Sequence, residues 1–61
     1  MKELTIEIQK QENGLYCILV AYDNFNLVEH SRNISTKFDA ESVAYRIIVM
    51  NKNLFSNLHI N

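Results

Sequence analysis

Apolar and polar residues alternate from residue 3 to residue 10. Leu4, Ile6 and Ile8 fall on one side, and Thr5, Glu7 and Gln9 on the other. A period of two is that of a half-buried strand. Asn13-Gly14 then turns the chain, and this pair suits a two-residue type I′ hairpin because both central residues need positive φ. The run Leu15 to Tyr22, LYCILVAY, holds eight residues without a charge, Gly or Pro, and reads as the strand beside which everything else packs. With Asn13-Gly14 as the two loop residues, Glu12 pairs with Leu15, Ile8 lies opposite Leu19 and Ile6 opposite Ala21. One hairpin face then carries Leu4, Ile6, Ile8, Cys17, Leu19 and Ala21. The other carries Thr5, Glu7, Gln9, Tyr16, Ile18, Val20 and Tyr22. A longer loop with a bulge would change these partners.

Asp23-Asn24, extendable through Phe25 and Asn26, makes the next turn. Leu27 to Arg32 reads as a third, less apolar strand, with Val28 and His30 on the face of Leu19, and Leu27 and Glu29 on the face of Ile18 and Val20. Residues 33 to 37 are a polar connection with one apolar residue, Ile34. A helix follows, capped by Ser35, Thr36 or Asp39, with Asp39 and Glu41 suited to its N-terminus. At 100° per residue, Ala40, Val43, Ala44, Ile47, Ile48 and Met50 share one stripe, which should cover the sheet face of Leu4, Ile6, Ile8 and Leu19. Tyr45 and Val49 fall on the polar side, one turn apart. Asn51-Lys52-Asn53 ends the helix, with Asn able to take a left-handed cap. Residues 54 to 60 read as a short fourth strand or as a loose tail. The pattern predicts an α+β domain over residues 1–61: an antiparallel sheet of three to four strands with one helix on one face.

Composition narrows the picture. A chain of 61 residues buries only about 60% of the surface its unfolded form exposes and is marginal without help from disulfides, metals or association. Cys17 is the one cysteine, so an internal disulfide is excluded and a reducing, cytoplasmic setting is expected. Six basic residues against seven acidic give a net charge of −1, which argues against a non-specific nucleic-acid binder. No apolar run reaches the length of a membrane span. The N-terminus, MKELTIEIQ, has acids where a secretion signal would be apolar.

Asn13-Gly14-Leu15-Tyr16, Ala21, Asn24, Leu27, Ser31, Ser35, Ala40, Ile47 and Asn51 fall in the order strand, Asn-Gly, strand, Asn turn, strand and helix. In this the chain resembles the YegP-like β-β-β-α module over about residues 6 to 51. The resemblance implies that fold and implies a dimer. That family carries the module in tandem, whereas this chain has one copy, and it brings no activity with it.

Candidate chemistry is sparse. Cys17, His30 and His59 lack the close spacing of a metal site, and ordinary strand residues are the expectation. His30 beside Glu29, or His59, could act as acid or base, but no nucleophile or phosphate-binding loop accompanies them. No cofactor and no catalysis are expected. The second hairpin face, Tyr16, Ile18, Val20 and Tyr22 with Leu27, exceeds what one helix can cover and reads as a partner-binding patch unless residues 54 to 60 bury it. The partner is a second copy or a larger protein, and the size and simplicity are those of phage- or plasmid-encoded inhibitors that act by occlusion. The alternative is a nucleic-acid binder using the sheet with Arg32, Lys37 and Arg46.

Overall fold

The computed structural model describes every residue except Met1, Asn24 and Asn61. The chain forms β1 (Glu3–Lys10), β2 (Tyr16–Tyr22), β3 (Val28–Ile34), α1 (Lys37–Met50) and β4 (Phe55–Ile60). The strands make one four-stranded sheet in the order β3-β2-β1-β4. The α+β architecture expected from the pattern is present, with one correction: β4 pairs parallel to β1, so the sheet is mixed. Helix length explains the direction. Fourteen residues of helix span about 21 Å, close to the length of the strands. The helix therefore returns the chain to the end of the sheet where β1 begins, and Phe55 enters beside Glu3. Residues 55 to 60 neither fray nor fold over the sheet. They extend it at its edge.

The β1–β2 turn corrects the expected register. The Gly14 N–H donates to the Gln11 carbonyl at 3.0 Å, and the Gln11 N–H to the Leu15 carbonyl at 2.6 Å. Gly14 has φ 84°, the left-handed conformation that closes a three-residue loop after a type I turn. Asn13 Oδ1 accepts from the Leu15 N–H at 3.0 Å and holds the turn. A loop of three instead of two shifts the pairing by one residue. Ile8 lies opposite Ile18, and Ile6 opposite Val20. Because side chains alternate, that one step exchanges the faces of β2. Ile18 and Val20 share the face of Leu4, Ile6 and Ile8, while Cys17, Leu19 and Ala21 point to the opposite face.

β3 joins β2 through two irregularities, between Tyr16 and Ile18 and between Ile18 and Leu19. Val28 lies opposite Val20 and Glu29 opposite Leu19, again the reverse of the expected faces. The strand begins one residue later than expected and continues to Ile34, which packs on the core instead of lying in a connection. Asn33 takes φ 59° within it. The Asn33 N–H donates to Gln11 Oε1 at 2.8 Å, which ties β3 to the β1–β2 turn.

Thr36 caps α1, its hydroxyl accepting from the Asp39 N–H at 3.1 Å. Ala40, Ala44 and Ile47 are buried against the sheet, and Val43 and Ile48 pack beside them. The two alanines let the helix sit close on Leu4, Ile6, Ile8, Ile18 and Val20, which together make the core. Met50, assigned to this stripe by spacing, is 77% exposed, since the stripe has rotated past it by the last turn. Asn51 ends the helix with φ −119°, not in the left-handed region. Its side-chain amide instead donates to the Ile47 carbonyl at 2.8 Å.

Candidate protein-interaction site

The helix starts just after β3 ends, beside Tyr16, and finishes just before β4 begins, beside Glu3. It therefore runs diagonally over the sheet. The corner where β2 ends at Tyr22 and β3 begins at Val28 is left without cover. Tyr22 is 45% exposed and Val28 64% exposed, although both continue the face that elsewhere forms the core. Phe25 and Asn26 of the following connection border this corner. Asp23 has φ 55°. The Asp23 N–H donates to the Glu3 carbonyl at 2.7 Å. Its Oδ1 accepts from the Glu3 N–H at 2.8 Å. The turn expected here rested partly on Asn24, which lies outside the described residues. Phe25 is anchored by its N–H to the Tyr22 carbonyl at 3.1 Å, and its ring projects outward.

Val20, Ala21, Tyr22, Phe25, Asn26 and Val28 enclose an open hollow of about 320 Å³. That is near the lower end of the volumes that hold ligands. Its walls are almost wholly apolar. It can desolvate an apolar group.

The five residues expected to form a patch are divided by the register. Ile18 and Val20 belong to the core beneath the helix, so the expected bare face built on them is corrected. Tyr16 is half-buried and packs on the same core. Tyr22 and Leu27 remain at the surface, Tyr22 in the wall of the hollow and Leu27 in the connection beside it. The pattern puts Val28 on the opposite face and Phe25 only in the turn. The signal that could have found them is the size difference along β2. Ile18 and Val20 are larger than Cys17 and Ala21, and the larger pair takes the core.

The opposite sheet face is mixed. His59, Glu7, Leu19 and Glu29 lie in one row across it, with Gln9 beside Cys17. Gln9 Nε2 donates to Glu7 Oε1 at 2.8 Å. His30 Nδ1 and Ser31 Oγ are hydrogen-bonded at 2.8 Å at the surface of β3. No three metal-ligating side chains gather among the described residues. The cations do not converge either. Arg32 is paired with Glu29 at 3.2 Å on β3. Lys37 and Arg46 are nine positions apart on the helix and so project on opposite sides of it. The nucleic-acid reading thus gains no common surface.

No helix among the described residues is long and apolar enough to cross a membrane. No family model matches the chain, and no curated protein or solved structure matches it. The resemblance to the YegP-like module therefore rests on the quoted residues alone.

Proposed function

We propose that the protein is a non-catalytic protein-binding module that takes an apolar side chain of a larger protein into the hollow bounded by Val20, Tyr22, Phe25 and Val28. The observation that supports this reading is the open apolar corner itself, which continues the core face yet receives no cover from the helix. Its size suits one or two aliphatic or aromatic side chains. Interfaces draw most of their affinity from a few anchors of this kind. A module so built acts by occluding a surface on its partner, as an inhibitor does. The single thiol, Cys17, is half-buried on the other sheet face and fits a reducing cytoplasmic setting.

The test is selection from a random peptide library on the immobilised protein. We expect enriched peptides to share an apolar anchor, and we expect Phe25→Asp and Val28→Asp to abolish their capture while leaving the far-ultraviolet circular dichroism unchanged. Peptides without a common anchor, or capture unaffected by both changes, would contradict the reading.

A further inference from the structure

The helix carries a second apolar stripe, on the side away from the sheet. Phe38, Ser42, Tyr45 and Val49 follow one another at spacings of four, three and four, within an arc of about 60°. The stripe lies opposite the one formed by Ala40, Ala44 and Ile47. Phe38 is 75% exposed, Tyr45 56% and Val49 69%. A helix apolar on two sides is made to be packed on two sides.

We propose that this stripe pairs with the same stripe of a second copy, the two helices running antiparallel about a twofold axis between Ser42 and Tyr45. Shape and charge both select this occupant and this direction. Antiparallel pairing sets Phe38 against the partner's Val49 and the small Ser42 against the partner's Tyr45, so large side chains meet small ones. Parallel pairing would stack Tyr45 on its own copy and Ser42 on its own copy. Asp39 and Arg46 lie on one flank of the stripe, at about 100° and 80° from Phe38. In an antiparallel twofold pair each flank meets the same flank of its partner. Asp39 then lies beside the partner's Arg46, and Arg46 beside the partner's Asp39. Both residues are exposed, as such a rim requires. Glu41 sits on the other flank, where antiparallel pairing brings it only toward the partner's Ile48. None of the stripe residues lines the hollow at Tyr22 and Val28.

One helix face is smaller than a standard stable interface, so the dimer is weak, with a dissociation constant on the order of 10–100 μM. The experiment is sedimentation equilibrium of the full chain over a dilution series spanning that range, with circular dichroism to establish that each variant is folded. We expect Val49→Glu to give a monomer throughout. Arg46→Asp should raise the dissociation constant about tenfold, and the exchange Asp39→Arg with Arg46→Asp should bring it back. Glu41→Arg should leave it within about twofold. A wild-type chain that stays monomeric at the highest concentration overturns the proposal, as does a dimer indifferent to Val49→Glu. Loss of the dimer in Glu41→Arg without recovery in the exchange variant overturns the antiparallel arrangement.

Discussion

Single residues decide several of the turns on which the fold depends. Gly14 has φ 84°, and nothing lies within 4 Å of where a Cβ would stand. The space is free and only the backbone objects. Gly14→Ala should therefore lower stability by about 1–2 kcal/mol through left-handed strain alone, read as an earlier urea midpoint with an unchanged slope. Ser56 is the reverse case. Its hydroxyl is buried on the core side of β4 without a hydrogen-bond partner among the described residues. Removing an unsatisfied buried group is favourable, so Ser56→Ala should raise stability by about 1 kcal/mol, read as a later urea midpoint. The Gln11–Asn33 contact explains how β3 tolerates a left-handed asparagine next to its end. The amide of that strained residue is satisfied by a side chain from the neighbouring turn.

At the level of elements, the strand pairing is what a substitution can interrogate. Ile18 is fully buried and Leu19 is only half-buried, on the face beside Glu7 and Glu29. Ile18→Lys places a charge under the helix and should unfold the chain, seen as loss of its circular dichroism. Leu19→Lys meets two acids and should stay folded, with a urea midpoint close to the wild type. Equal tolerance of the two would contradict the pairing of Ile8 with Ile18. The elements themselves were legible in the residue pattern. The alternation at Leu4, Ile6 and Ile8 marks β1, the capping set at Thr36 and Asp39 starts α1, and Ala40, Ala44 and Ile47 mark its inner face. The register was not legible. A glycine after an asparagine serves a two-residue and a three-residue loop equally, because both need the left-handed conformation there. β2 could not arbitrate, since it is apolar on both faces and either choice buries carbon. The direction of β4 was hidden for a different reason. Six residues carry no record of which edge they join, which depends on the length of the helix before them.

Across the whole molecule, one helix must cover a sheet of four strands. It crosses on a diagonal, buries the middle and leaves a corner. That corner accounts for the fate of the expected patch. The aromatic and β-branched residues of β2 are too many for one layer of helix, but the surplus lies at the end of the core face and not on the reverse of the sheet. Tyr22 and Leu27 were therefore readable as surface residues, while Val28 was assigned to the wrong face along with the register. A domain this small has a core of limited reach, and leaving Tyr22, Phe25 and Val28 open forgoes burial that would have stabilised it. A partner's apolar side chain in the hollow restores that burial, and bound peptide should accordingly raise the melting temperature with the logarithm of its concentration once that exceeds the dissociation constant.

The most direct test of a binding role for the corner is a titration of isotopically labelled protein with a selected peptide, followed by amide chemical shifts. The account expects shifts concentrated at Val20, Tyr22, Phe25 and Val28, with Tyr45, Val49 and the row through Leu19 unmoved. Shifts centred on the outer side of the helix or on the Leu19 face, with the corner silent, would contradict it.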